Sequence, residues 1–562
     1  MPSDEFGIVN NMNMKSISYT TVIWVVMACS SCVQADATLV AGAGIIPAPA
    51  KFELATGSFA VSAQTEIICR KGTEAEAARF LQTGLMARTG LEIKLVRPGN
   101  NMTSGIRLEL VPAGKNNDEG YALEVSSAGV RLRASSDAGL FYGVQSLLQM
   151  ADAQGAAAGK ALSLPAMNIV DAPRFEWRGL MLDESRCFFG KQTVEELLDT
   201  MAYLKLNRFH WHLTDEPGWR IEIKKYPKLT QIGGQGNWAD PQAPAAFYTQ
   251  ADIREIVEYA WQRHIMVIPE IDMPGHATAA MRAYPEYSGG GTGQWKGFTF
   301  NPAKEETYQF LKNVLKEIIS LFPGPYIHLG GDEVHYGNQS WSTDPEIVKF
   351  TQDHGLTNAA GLERYFIRRM AGVVNKLGKT TLGWDEIADA DVPFAQTAVM
   401  WWRHDKTDVL HQLLARDYHV VLCPRLPCYF DFVQDASHQQ GRRWKGGFNT
   451  LAGVYNFPEP VINGLIPSGK ESNVMGVEAC LWTERIQNRD RLAFMTYPRL
   501  AALAEAGWTP ASAKDPGEFL ARVRVFLHEL DRRRIPYFNL FQPTATPEPP
   551  GPEKKAAGTA NG

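Results

Sequence analysis

The sequence predicts an α/β chain: a (β/α)8 barrel of the TIM type, residues 172–542, preceded by a small α+β domain, residues 36–168. Three observations carry this. The chain has 562 residues, more than one ordinary domain uses. From Trp177 onward, short β-rich apolar runs alternate with amphipathic helical stretches. Those runs number eight, the count that closes a parallel barrel.

Taken in order, the first element is an export segment, residues 1–35. Lys15 precedes the apolar run "TTVIWVVMA", Thr20 to Ala28, which is about half the length needed to span a bilayer. Two exits compete: cleavage after "VQA", Val33 to Ala35, or lipid attachment at Cys29 in "VMACS", which resembles a bacterial lipobox. Either way the protein is expected to be exported, to the periplasm, the cell envelope or the medium, with a membrane contact only through Cys29. Met14 makes a more usual start than Met1, because Asp4 and Glu5 stand where such a segment is basic. The small domain ends in "GYALEVSSAGVRLRASSDAGLFYGVQSLLQM", two alternating strands and then a helical stretch. It clusters no catalytic residue types, so its expected role is scaffolding.

The barrel strands are read at "RGLMLDESR", "RFHWHLTD", "IMVIPEID", "YIHLGGDE", "TTLGWDEI", "AVMWWR", "HVVLCPR" and "VMGVEACLW". Between them, Val194, Leu197, Leu198, Met201 and Ala202 mark one helix face, and Ile253, Ile256, Val257, Ala260 and Trp261 another. The Pro-, Gly- and Ala-rich tail, residues 543–562, is expected to be disordered.

Composition narrows the partner. With 56 basic and 61 acidic residues and a net charge of -5, nothing argues for a grip on nucleic acid or on an anionic membrane. A neutral ligand fits better, and the 14 Trp include candidate platforms for sugar faces, although most are expected in the core. Cys29 and Cys32 fall in the export segment. The other five cysteines contain no CxxC pair, which argues against a zinc or disulfide framework and for core thiols. No cofactor and no metal are expected.

In a barrel of this kind the active site lies at the C-terminal ends of the strands, and the polar and aromatic clusters fall there. The sharpest is "HLGGDE". Asp-Glu pairs also occur at Asp4, Asp118, Asp183, Asp215 and Asp385, so the dipeptide alone decides nothing. Neighbours on a strand point to opposite faces, and two serve one pocket only where the backbone bends; Gly330 and Gly331 allow that bend before Asp332. Crowded carboxylates raise the pKa of one of them, which suits Glu333 as a protonated general acid beside a charged Asp332. No second nucleophile is evident. A substrate that brings its own, an acetamido oxygen beside the breaking bond, removes the need for one.

Three rival readings remain. His210 and His212, two apart on one strand, face the same way and suggest a metal-dependent hydrolase, but only His276 and His328 are left as further ligands, in no clear order, and packed barrel histidines are more common. A glycan-binding protein would keep the aromatic pocket without the acid. A two-carboxylate glycosidase would use Glu484 as nucleophile opposite Glu333.

The ordered set "DAPRFEWRGLMLDESR", "FHWHLTDEPGWR", "PEIDMPGH", "HLGGDE", "GWDE" and "GVEACLWTE" resembles glycoside hydrolase family 20, the β-N-acetylhexosaminidases, over roughly residues 40–540. The resemblance implies that Asp332 orients the acetamido group and that Glu333 is acid and then base. It implies sugar-hydroxyl contacts from Arg186 and Glu484, and an aromatic wall of Trp384, Trp402 and Trp482. Tyr429 would donate to the acetamido carbonyl with support from Asp431, while Asp215 and His276 would tune Glu333 from behind. The implied partner is a glycan ending in N-acetylhexosamine. Two departures stand out: Cys187 where the pattern often has His, and "TDEP" where Asp-Asp-Gln is common. In "MWWR", Trp401 competes with Trp402 for the pocket position.

Overall fold

Period-two alternation builds the first domain. In strand β5, Tyr121–Ser126, it buries Tyr121, Leu123 and Val125, and in β6, Gly129–Ala134, it buries Val130, Leu132 and Ala134. The structure, a computed structural model, describes residues 44–99, 104–112 and 119–551; the expected export segment with Cys29 lies outside them. The other strands of this domain are β1, Lys51–Val61, β2, Glu66–Ile68, β3, Lys94–Val96, β4, Ile106–Leu110, and β7, Leu162–Asp171. They form a seven-stranded mixed sheet in the order β1-β7-β5-β6-β4-β2-β3. Two helices, α1, Thr73–Thr89, and α2, Asp137–Ala153, cover its apolar face. Ser136 starts α2 by accepting the Gly139 N–H at 3.1 Å. Nearly every residue of α2 is buried, as befits a helix held between a sheet and a second body.

That second body is the closed barrel, and all eight expected strands are in it: β8, Trp177–Asp183, β9, Arg208–His212, β10, Met266–Glu270, β11, Tyr326–His328, β12, Thr380–Trp384, β13, Thr397–Trp401, β14, His419–Leu422, and β15, Val474–Leu481. Every ladder is parallel, from β8 beside β9 round to β15 beside β8. The strands are buried on both faces, the signature of a sheet wrapped by helices. Helix α3, Lys191–Tyr203, turns Val194, Leu198 and Met201 into the core as the periodicity requires. The helix Gln250–Trp261 starts with a capping box between Thr249 and Asp252. Its apolar stripe ends earlier than the sequence suggests: Trp261 is 69% exposed, because the core-facing row closes at Ala260.

The expected disorder of the tail is corrected for residues 543–551. The Glu548 carboxylate accepts the backbone N–H groups of Gln439 and Gln440 and pairs with Arg491, so this stretch is tied down by charge rather than by apolar burial. The five cysteines of the described residues are free thiols. Among those residues no helix is long and apolar enough to cross a membrane.

The small domain meets the barrel at the N-terminal ends of the strands, away from the chemistry. Lys205, just before β9, is fully buried with its ammonium 3.0 Å from the Tyr121 hydroxyl and 3.3 Å from Asp171 Oδ2. Trp508 donates to Asp171 Oδ1 at 2.9 Å and lies under the same ammonium. Arg178, second residue of β8, pairs with Glu119 at 2.9 Å. Burial pushes the Lys205 pKa down and the Asp171 carboxylate works against that shift. Lys205→Ala strands Asp171 without its cation, and the expected loss is about 3–5 kcal/mol of unfolding free energy in a denaturant titration. A loss below about 1 kcal/mol would contradict this account of the joint.

Candidate active site

The loop after β11 sets two carboxylates side by side. His328 accepts the Gly330 N–H through Nδ1 at 3.0 Å, which starts the turn. Gly330 and Gly331 follow at φ 66° and 93°, where a side chain is strained. A Cβ at Gly330 would come within 1.9 Å of Asp272 Oδ1, and one at Gly331 within 2.5 Å of Ile387. The bend read from the two glycines is therefore real. It continues into Glu333, which itself sits in the left-handed region at φ 53° and ψ 19°, as does His276 at φ 52°. Non-glycine residues held there are strained and gather at functional sites.

Asp332 and Glu333 both line a cavity of about 370 Å³ at the C-terminal end of the barrel, together with Arg186, Trp402, Tyr429 and Trp482. Asp332 is 8% exposed, whereas the Glu333 side chain keeps about a third of its surface in solvent. Burial, opposed by His276 and reinforced by Glu333, pushes the carboxyl of Asp332, which the sequence reading took as charged, up to about 7. Asp332 Oδ1 has no hydrogen-bond partner among the described residues, which leaves an acceptor facing the cavity beside Glu333.

Behind the pair runs a ladder of acids and imidazoles through the barrel interior. His276 Nε2 lies 3.6 Å from Asp332 Oδ2 and 3.9 Å from Glu333 Oε2, and its Nδ1 lies 2.9 Å from Asp215. Asp215 also meets Arg186 at 2.6 Å and His212 at 2.8 Å. His212 reaches Glu270 at 2.5 Å, which is 3.0 Å from His210, which is 2.8 Å from Glu478. Burial works against every charge here, yet the alternation of sign holds Asp215 and Glu270 well below the carboxylate range and His212 and His276 well above the imidazole range. The same argument places His210 at about 9. Asp215 and His276 thus lie behind the acid pair, with His276 nearer Asp332 than Glu333.

The histidines of the metal reading lie along this ladder: His210 and His212 each meet carboxylates at both ring nitrogens, His276 meets Asp215 through Nδ1, and His328, pushed down to about 4 by burial, has Nδ1 at the Gly330 N–H and 3.0 Å from Glu270 Oε1.

The aromatic wall is partly as expected. Trp402, rather than Trp401, lines the cavity; its indole N–H donates to Glu386 at 3.0 Å and its ring lies nearly parallel to Tyr429, 9° between planes at 6.3 Å. Trp401 is 1% exposed and packs in the core. Trp482 lies under the Arg186 guanidinium at 5.1 Å. Trp384 stands one layer deeper than a wall position, behind Trp482 at 5.8 Å, because its N–H is held by Glu270 at 2.9 Å. Asp431 is also off the cavity surface, and its ionic partner is Arg442 at 2.8 Å rather than the Tyr429 hydroxyl. Burial, with Arg442 opposing, pushes Asp431 up to about 7. Glu484 lines the cavity and pairs with Arg442; despite burial, Arg442 and Arg186 hold its carboxyl low.

Both sequence departures have visible consequences. Cys187 is a thiol that burial pushes up to about 12, and it takes no part in the cavity lining. In "TDEP", Glu216 comes within 3.4 Å of His276, adding a second carboxylate to that ring. Sequence reasoning missed Glu270, whose partners all come from other strands, and the arginines 425 and 442, which arrive on irregular loops.

Both domains are similar to known proteins. The family model described as "Glycosyl hydrolase family 20, catalytic domain" matches residues 175–511, and the one described as "Glycosyl hydrolase family 20, domain 2" matches residues 43–172. A beta-hexosaminidase of Porphyromonas gingivalis is 33% identical over 91% of this chain and 65% of its own length. One from Vibrio furnissii is 36% identical over 67% of this chain and 63% of its own. The chain thus spans just under two thirds of the length of these two relatives. Among solved structures, the GH20 exo beta-N-acetylglucosaminidase of Vibrio harveyi, in complex with N-acetylglucosamine, aligns with a TM-score of 0.79 at 31% identity, covering 89% of this chain and 78% of that one.

Proposed function

Because the chain belongs to glycosyl hydrolase family 20, we propose that it is a β-N-acetylhexosaminidase, releasing terminal GlcNAc or GalNAc from the non-reducing ends of glycans with the substrate's own acetamido oxygen as nucleophile. The observation that carries this reading is the adjacent pair Asp332 and Glu333 on one cavity, with His276 within 3.9 Å of both. The Vibrio harveyi structure, an exo-acting enzyme with N-acetylglucosamine bound, supports the same substrate class.

In this mechanism the acetamido N–H donates to Asp332 Oδ1, the buried acceptor without another partner. A donor there favours the ionised form and draws the carboxyl below its free value of about 7. Glu333 gives its proton to the glycosidic oxygen as that bond breaks, the acetamido oxygen closes on the anomeric carbon, and an oxazolinium forms. Asp332 balances its charge. Glu333, now a base, takes a proton from the water that opens the ring, so the β-configuration is retained. Trp402, Tyr429 and Trp482 face the sugar and its methyl group, with Arg186 and Glu484 at the hydroxyls. A cavity of about 370 Å³ sits at the small end of ligand sites, which suits one terminal sugar and hence exo action. Glu484 makes a poor nucleophile, since Arg442 and Arg186 already hold its charge. The N-terminal apolar run after Lys15 supports a site of action outside the cytoplasm.

The test is release of nitrophenol from the aryl N-acetyl-β-glucosaminide and from the matching β-glucoside, with and without a chelator. Fast release from the acetamido sugar alone, indifferent to chelator, is the expected result; comparable release from both sugars would overturn the substrate-assisted reading. Arg186→Ala should raise KM about 10- to 100-fold, the worth of a charge-assisted contact, and change kcat less. An unchanged KM would remove Arg186 from the sugar.

A further inference from the structure

Arg442 holds one oxygen of Glu484 and leaves the other for a ligand. Its Nη2 pairs with Glu484 Oε1 and its Nε with Asp431 Oδ2, while Glu484 Oε2 is buried without a hydrogen-bond partner among the described residues. A carboxylate held in this way offers a sugar hydroxyl a set acceptor, with less freedom to lose on binding. How well Glu484 is set then depends on what holds Arg442.

Arg442 stands on neither a strand nor a helix. It follows the turn 439–441, whose Gln439 and Gln440 are exposed. A surface turn without apolar packing is fixed by polar contacts or opens easily. On one side of it His438 packs its ring on Phe494 at 5.0 Å and on Phe538 at 4.6 Å. On the other the Arg442 N–H donates to the Asp431 carbonyl at 3.0 Å. Between these anchors the backbone is held from more than a hundred residues away: the Gln439 N–H donates to Glu548 Oε2 at 2.8 Å and the Gln440 N–H to Glu548 Oε1 at 3.1 Å.

The C-terminal stretch around Glu548 thus forms a strap across the turn, and Arg491, on the helix Arg489–Thr496, ties it down. This guanidinium is fully buried. It donates through Nη1 to the Pro549 carbonyl at 2.7 Å and through Nη2 to the Gln440 carbonyl at 2.6 Å, and it meets Glu548 at 3.3 Å. Its Nε donates to the carbonyl of Arg485, the residue after Glu484, at 2.9 Å. Burial pushes the Arg491 pKa down, and Glu548, the one carboxylate within ion-pair distance among the described residues, opposes that shift. A single arginine therefore joins the strap, the turn that carries Arg442 and the loop that carries Glu484.

Resting on the reading that a terminal N-acetylhexosamine is cleaved here, we propose that the C-terminal strap sets the sugar-binding side of the pocket. Glu548 is a positioning residue: through the turn 439–441 and Arg491 it holds Arg442 against Glu484, which keeps Glu484 Oε2 where a sugar hydroxyl meets it. Glu548 is off the cavity lining, so its loss weakens binding and leaves the chemical step in place.

The experiment is steady-state kinetics on an aryl N-acetyl-β-glucosaminide with the unaltered protein, Glu548→Ala, Arg442→Ala and the double variant. Glu548→Ala is expected to raise KM about three- to tenfold, the cost of ordering a side chain anew on binding, with kcat kept within about twofold. In the Arg442→Ala background the same change should add little, because its route to Glu484 is already cut. Glu548→Asp, which keeps a charge for Arg491, should recover part of the loss. An unchanged KM in Glu548→Ala would overturn the proposal, and so would an equal rise in both backgrounds, the mark of general loosening. If Glu548→Ala does not fold, hydrogen exchange on the unaltered protein decides. Saturating N-acetylglucosamine is expected to slow exchange in peptides covering 436–443 and 546–551, since coupling between two sites is reciprocal, and unchanged exchange in both overturns the proposal. No hydrolysis by the unaltered protein would bring down the activity reading on which the strap's role rests; hydrolysis with KM unmoved by Glu548→Ala brings down the strap alone.

Discussion

Glu333→Gln should lower kcat by roughly 100- to 10,000-fold on glycans whose leaving group is a sugar hydroxyl, the range that a positioned general acid supplies. The variant keeps the shape of the side chain and removes the proton. Glu333 stands on a left-handed residue after two glycines, with about a third of its side chain open to solvent, so an isosteric amide disturbs little packing. On an aryl glycoside with a good leaving group the loss should be far smaller, because that bond breaks with little protonation. Equal losses on the two substrates would remove Glu333 from the acid role. The comparison needs only steady-state rates, and it separates a chemical effect from a folding one, since a misfolded variant loses both substrates together.

Asp332→Asn comes second, with an expected loss in kcat of roughly 100- to 1,000-fold, comparable to deleting one fixed dipole opposite a developing charge. Its pH signature is the more telling part. The free Asp332 carboxyl sits at about 7, so kcat/KM of the unaltered protein should rise as pH climbs through that value and the acceptor becomes charged. The variant should lack this limb. Stability should move the other way. A carboxyl whose folded pKa is raised above its unfolded value favours the fold fully below the unfolded pKa, and that contribution is lost as pH rises through the folded one. Above pH 7 the native protein holds a buried charge that the amide does not, so Asp332→Asn should melt higher there, by about 2–4 °C for each kcal/mol relieved. A variant that is slower and also less stable above pH 7 would mean that Asp332 is chiefly a structural residue.

The barrel was legible because parallel strands buried on both faces read as apolar runs, and eight such runs leave little choice of closure. The acid pair was legible because glycines announce a bend. Periodicity could not say where a helix leaves the core, and so Trp261 was read as buried. Nor could it rank burial between neighbours: Asp332 and Glu333 look alike in sequence, and only the left-handed turn at Glu333 leaves that side chain the more open of the two. Trp384 was read as a wall because its deeper position depends on Glu270, a partner from another strand. Arg425 and Arg442 come from "CPRLPC" and "GRRWKGG", stretches with no period at all, so their arrival in the cavity is a property of loop geometry.

The joint at Lys205 has a consequence for how the molecule is made. Asp171 ends the last strand of the first domain, Lys205 belongs to the start of the barrel, and Trp508 is contributed by a helix more than three hundred residues later. Within the first domain Asp171 already accepts the Ala50 N–H at 2.9 Å and the Tyr121 hydroxyl at 2.7 Å, but its contacts with Lys205 and Trp508 wait for the barrel. Synthesis order and assembly order diverge here: the N-terminal piece is made first and finished last. A barrel cut free of residues 44–171 would in turn expose Lys205 and Trp508, so the two domains form one cooperative body rather than a catalytic module with a detachable accessory.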